Sequence, residues 1–169
     1  LEDKLLFLDE DEDSLAPLPE PKKKRKRSCK TKRPFYYDDD GKIVYLLPKQ
    51  TPWWFIYVSS PQLIDPDFQK KFRTRFRMPY SEYLKLVDMC KADHQFSRWM
   101  NPNASGDPPS PIELLVLCAL RYLGRGLTFD DLEEATAISE GVIRAFFHKF
   151  IDFGANVLFP KYVVPPKTT

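Results

Sequence analysis

The stretch IELLVLCALRYLG, Ile112 to Gly124, holds only two charged residues, Glu113 and Arg121. Read as a helix, it is apolar on nearly every side, and such a helix has to be enclosed by other elements rather than laid on a surface. Its limits are legible too. The preceding NPNASGDPPS, Asn101 to Ser110, holds three prolines and a glycine and reads as a loop. Ser110 can cap the helix, Pro111 suits its first position, and Glu113 can bond back to the cap N–H as a capping box. Gly124 or Gly126 ends it, and Cys118 belongs to its core.

Two stretches upstream can enclose it. In DPDFQKKFRTRFRMPYSEY, Asp65 to Tyr83, the residues Phe68, Phe72 and Phe76 recur every four positions on one helical face. Asp65 and Asp67 sit at the N-terminal end, where they suit the helix dipole. Lys70, Lys71, Arg73, Arg75 and Arg77 spread over the rest of that helix. Clustered cations on a rigid element displace counterions from a nucleic acid backbone, and the same five also suit an ordinary solvated face. A second helix follows, in which Tyr80, Tyr83, Leu84, Val87 and Cys90 keep the i, i+3, i+4, i+7 spacing of a core stripe. Ahead of both, Trp53 to Val58 is a dense apolar run between Pro52 and Pro61, expected to dock on the helical body as a strap, with a partner-binding patch as the alternative.

Downstream, TFDDLEEATA reads as a short helix capped by Thr128, and ISEGVIRAFFHKFIDFGANVLF as a long one starting near Ser139. Two helices across the Ala137-Ile138 turn resemble a helix-turn-helix, with Leu132, Ile138, Ile143 and Phe146 at the positions that pattern keeps apolar. Glu133 and Ala137 depart from it, since a small residue and a glycine are preferred there, and a more open crossing is expected. The second helix would present Glu140, Gly141, Arg144, His148 and Lys149, with Arg144 able to donate to a guanine edge or a phosphate. A helical hairpin that merely packs is the competing reading.

Charge is segregated along the first third of the chain. Residues 1–20 hold eight acids against one base, Lys4, whereas residues 21–33 hold nine bases and no acid. The overall +2 is an average over opposite blocks and says little about partners. Residues 1–50 show no sustained apolar period and are expected to be mostly disordered. Within them PKKKRKR, Pro21 to Arg27, resembles a monopartite nuclear localisation signal: Lys22, Lys23, Lys24, Arg25, Lys26 and Arg27 would fill acidic and aromatic pockets of an importin. A solvated basic tail paired with the acidic start is the alternative. Cys29, Cys90 and Cys118 lie far apart, and His94 and His148 have no metal-ligand spacing, so the chain reads as intracellular and reduced. No run approaches the roughly 18–20 apolar residues that span a bilayer. Residue 1 is Leu, so a processed product or a fragment is expected.

Taken in order, WW…DPDFQKKFRTRFRMPYSEYLKLV, then SPIELLVLCALRYLGRGLTFDDL, then ISEGVIRAFFHKFIDFGANVLFPKYVVPP resembles the region preceding the catalytic domain in PIF/Harbinger-type transposases and their domesticated relatives. The likeness covers about residues 50–166 and lies in the order and spacing of the pieces. It implies a nuclear, transposase-derived segment that binds DNA or recruits a separate Myb-like DNA-binding partner. The family cuts and joins DNA with two Asp and one Glu holding two divalent metals such as Mg2+. That domain would begin after the Pro165-Pro166 exit, so no acid of this chain is carried over as catalytic and no cofactor is expected in it.

Other catalytic signatures are missing: the sequence has no GxSxG, no P-loop and no dinucleotide fingerprint, and no nucleophile has a sequence reason to lie beside His148. The expectation is an all-α bundle of about five helices: a disordered head over 1–50, a strap over 51–64, a helical domain over 65–160 with a helix-turn-helix-like pair at 128–159, and a linker over 161–169. Arg73, Arg75, Arg77, Arg144 and Lys149 gathered on one surface favour DNA; scattered cations beside an apolar patch favour a protein partner. For the import signal the outcome is direct. Replacing Lys22–Arg27 with Ala should move a fluorescent fusion of residues 1–50 from nucleus to cytoplasm in live-cell imaging, and unchanged nuclear retention would reduce the run to a solvated tail.

Overall fold

Helices supply nearly all the regular structure in the computed structural model, which describes residues 33–102, 106 and 108–163. In chain order they are α1 (Pro52–Trp54), α2 (Pro66–Phe76), α3 (Tyr80–Ala92), α4 (Ile112–Arg125), α5 (Phe129–Thr136), α6 (Glu140–Phe153) and α7 (Phe159–Tyr162). π-Helical turns at Phe55–Ser59 and Gly154–Leu158 extend α1 and α6, and a 3-10 segment at His94–Trp99 follows α3. The five expected helices are α2 to α6, while α1 and α7 are about one turn each. Of the disordered head expected over 1–50, residues 1–32 with the Lys22–Arg27 run lie outside the described residues, as does the proline exit at 164–169, whereas residues 33–50 are described.

The apolar stretch is the centre of the fold. In α4, Ile112 and every residue from Leu114 to Leu120 are buried, and α2, α3, α5 and α6 all pack against it. Gly126 ends it in the left-handed region (φ 66°), its N–H donating to the Tyr122 carbonyl at 2.8 Å. Gly124 has a different duty: a Cβ there would stand 2.9 Å from Arg77 Cγ, so its bare backbone lets the end of α2 lie against α4. The expected Ser110–Glu113 capping box does not form. Pro111 takes the cap position with no side-chain bond, and the Glu113 carboxylate instead accepts from Lys91 Nζ on α3 at 2.6 Å. Both bonds would be charge-assisted, and the one to a full cation on the neighbouring helix is the one that forms.

An aromatic cluster joins α2 to its neighbours. Phe68, Phe72 and Phe76 are buried as the spacing requires, and Tyr57 from the first π-turn fits among them with ring centroids 5.1 to 6.2 Å away. The strap therefore docks through Tyr57, whose carbonyl accepts from the Tyr80 hydroxyl at 2.8 Å, while Phe55 and Ile56 stay exposed. On α3, Leu86 is buried and Leu84 is 43% exposed, the reverse of the expectation. At 3.6 residues per turn both lie about 80° from the middle of the Tyr80–Tyr83–Val87–Cys90 stripe, on opposite sides. Periodicity cannot choose between them; the position of the neighbouring helices does. On the far side, the 3-10 segment sends Phe96 and Trp99 against Phe146 of α6, each with centroids 5.2 Å apart.

Order begins earlier than residue 51. Residues 35–45 form an antiparallel hairpin, β1 (Phe35–Tyr37) and β2 (Ile43–Tyr45), with Phe35 opposite Tyr45 and Tyr37 opposite Ile43. Its turn is built by Asp38, whose carboxylate accepts from the N–H groups of Asp40 (3.2 Å) and Lys42 (2.7 Å), and by Gly41 at φ 73°. An Asp/Gly turn between two aromatic or β-branched triplets is the signal that a reading by charge density passes over.

The α5–α6 pair has a buried seam of Leu132, Ile138, Ile143 and Phe146. Thr128 starts α5 with a full capping box to Asp131. Ala137 makes the turn in the left-handed region (φ 57°), and its carbonyl accepts from Arg33 Nε at 3.0 Å. Glu133 is buried, and its Oε2 accepts from the Glu140 N–H at 3.1 Å, while Ser139 at the cap position makes no side-chain bond. A carboxylate on α5 thus caps α6, where it also meets the positive end of the helix dipole.

Two stability outcomes follow. Leu117 is fully buried, so Leu117→Ala should cost about 2–5 kcal/mol in urea denaturation, and Leu117→Asp should abolish the cooperative melt by burying an unpaired charge. Glu133→Ala should cost about 0.5–2 kcal/mol, the range for a lost cap, whereas Ser139→Ala should be near neutral; equal effects of the two would show that Ser139 caps α6 after all.

Candidate nucleic-acid interface

Burial of the Phe68–Phe72–Phe76 face turns the rest of α2 outward, and Lys70, Lys71, Arg73, Arg75 and Arg77 are all exposed. The structure adds two cations to them. Arg121 and Arg125, four apart in the last turns of α4, share a face that looks onto α2. Between the helices lies a groove of about 540 Å3 whose lining includes Lys70, Lys71, Arg75, Arg121 and Arg125 against a single acid, Asp67.

Arg121 is the constrained member of this set. Its Nη1 donates to the Arg75 carbonyl at 3.0 Å, and its Nε is buried without an acceptor. Leaving a buried donor unsatisfied costs about 1–3 kcal/mol. Partial burial, and after it the like charges of Arg75 and Arg125, lower its pKa from the ordinary arginine value. Arg75 is held from the other side: it donates to the Tyr57 hydroxyl at 2.5 Å, with its guanidinium carbon 5.9 Å from the Tyr57 ring centroid. Arg77 contributes to the same field and leans on Gly124. Lys70, Lys71, Arg75, Arg121 and Arg125 make no ion pair with a carboxylate among the described residues, whereas Lys85, Lys91 and Arg144 each have one.

The α6 face is separate. Gly141, Arg144, His148 and Lys149 are exposed, but none of them lines the groove. Arg144 is already engaged: it pairs with Glu140, and its guanidinium carbon lies 4.8 Å over the Phe129 ring, which stacks on Tyr122 at 4.5 Å. Of the residues singled out in the sequence, Lys70, Lys71 and Arg75 line the groove, whereas Arg73, Arg77, Arg144, His148 and Lys149 do not; of the five cations expected on one surface for DNA, Arg75 alone is at this site. Arg121 and Arg125 went unassigned because they end a helix read only for its apolar core.

Elsewhere the chemistry is sparse. Burial pushes the Cys90 and Cys118 thiols up to about 12, which makes them inert core residues. Among the described residues no group of three or more His, Cys, Asp or Glu is placed to hold a metal, and no helix is long and apolar enough to cross a membrane. Apolar surface does exist. Phe55, Ile56 and Leu63 are exposed ahead of α2, and Ile64 is 98% exposed. On the hairpin, Phe35, Tyr37 and Tyr45 share one open face, with ring centroids of Phe35 at 5.6 and 6.2 Å from the other two. No family model matches the chain, and neither a curated protein nor a solved structure is significantly similar to it.

Proposed function

We propose that this chain is the non-catalytic, DNA-binding segment of a Harbinger-like transposase or of a nuclear protein derived from one. What supports the reading is the gathering of outward cations of α2 with Arg121 and Arg125 of α4 around one groove. Unpaired cations on rigid helices with low-dielectric walls behind them focus a positive potential and release counterions from a phosphate backbone. In this reading the Lys22–Arg27 run is the importin ligand that brings the protein to the nucleus. Divalent metal belongs to the catalytic domain of the resembled family, not to this chain.

A second reading is a helical interaction module that recruits a Myb-like DNA-binding partner. The exposed Phe55, Ile56, Leu63 and Ile64, close together in the sequence ahead of α2, favour it, since exposed apolar surface is where protein partners dock. Salt titration separates the two. The chain should bind a short labelled duplex with an affinity that falls steeply with salt, and Lys70→Ala and Lys71→Ala should each lower the log–log slope by about one unit for every sequence alike. Arg144→Ala should leave the slope unchanged, because its charge is already paired with Glu140. Absence of binding to any duplex at low salt, with the helical circular dichroism intact, would sink the DNA reading and leave the interaction module.

A further inference from the structure

We propose that the groove between α2 and α4 is a phosphate clamp, in which Arg121 and Arg125 hold a phosphodiester group of the DNA backbone against the cations of α2. This rests on the DNA-binding reading and adds where the backbone sits: on two arginines outside both the amphipathic helix and the helix-turn-helix-like pair.

Three features of the groove point to an anion of this kind. First, it is a concave site with five cations and one acid, and none of the five has a carboxylate partner among the described residues. Like charges held at close quarters raise the free energy of the empty site, and a bound anion removes that repulsion. Second, two of the guanidinium groups that line it are already oriented. Arg121 is tethered to the Arg75 carbonyl and Arg75 to the Tyr57 hydroxyl, so little side-chain freedom is lost when a phosphate arrives. Guanidinium forks match the paired oxygens of a phosphate, which a lysine point charge does not. Third, Arg121 lines the groove and serves no ion pair among the described residues; its Nε is buried without an acceptor, so the packing it completes does not account for its charge, and a phosphate would be met by its remaining N–H groups. Lowering of its pKa by burial and by Arg75 and Arg125 fits the same picture.

The clamp reads phosphates only and carries no base preference. The test uses the full chain and its variants Arg121→Met and Arg125→Gln, with Lys85→Gln as the control because Lys85 pairs with Glu82 on α3, outside the groove. Titrations against a labelled duplex at several salt concentrations should show each groove variant losing about one unit of log–log slope, the loss expected for one phosphate contact, with the control unchanged. Thermal melts at low salt should show the duplex raising the midpoint of the unmodified chain and raising it less in both variants. Melts without DNA no lower than that of the unmodified chain show that the variants are folded, and Arg125, being exposed, keeps the test valid if Arg121→Met is not. Unchanged slopes in both variants overturn the clamp and leave DNA binding standing. No duplex binding by the unmodified chain overturns both. Slopes unchanged but a stabilisation by inorganic phosphate that the variants lose would assign the groove to a small anion and overturn the backbone assignment.

Discussion

A helix whose first turns are apolar on nearly every side cannot lie on a surface, and the enclosure of α4 sets the positions of the other long helices. With Ile112 and Leu114 to Leu120 all buried, this part of the helix needs cover on nearly every side, and α2, α3, α5 and α6 provide it. Each of those helices is amphipathic, so turning its apolar stripe to α4 also fixes which residues face water. The outward cations of α2 and the exposed face of α6 are therefore by-products of how α4 is wrapped. Even the approach of α2 to the end of α4 is set there, by the missing side chain of Gly124 beneath Arg77.

The groove and the α6 face treat charge in opposite ways. Arg144 is neutralised by Glu140 and rests on the Phe129 ring, an arrangement that satisfies the cation within the fold. Arg121 is left with like charges around it and one donor unmet. An exposed ion pair contributes little to stability, but it does spend the charge that a nucleic acid would otherwise meet. A cluster of unpaired cations does the reverse, lowering the stability of the free protein and keeping its charge available.

What could be read in the sequence was what periodicity and local caps determine. The Phe68–Phe72–Phe76 face, the buried α4, the Thr128 cap and the seam of Leu132, Ile138, Ile143 and Phe146 all appear where the pattern puts them. Failures came where two local options were equal and a distant residue chose between them. Leu84 and Leu86 flank the α3 stripe symmetrically, so the neighbouring helices decide. Glu113 could bond to its own helix start or to Lys91, and the ion pair wins. The hairpin at 35–45 was hidden by the acids that in fact build its turn. The groove was half legible: α2 announced its cations by alternation with phenylalanine, whereas Arg121 and Arg125 are single charges at the end of an apolar run, and only the packing of α2 on α4 reveals that they belong to the same site.

Glu133 has a consequence for α6. Most helices start on a cap of their own, so the first residues serve both to begin the helix and to meet whatever lies outside. Here the first free N–H of α6 is taken by a carboxylate from α5, and Ser139 is released from that task. Ser139 and Gly141 can then be exchanged without removing the cap, whereas Glu140 also holds Arg144 one turn on. The pair behaves as a holder with an interchangeable edge, in which the instruction to fold and the lettering on the outer face are written on different helices.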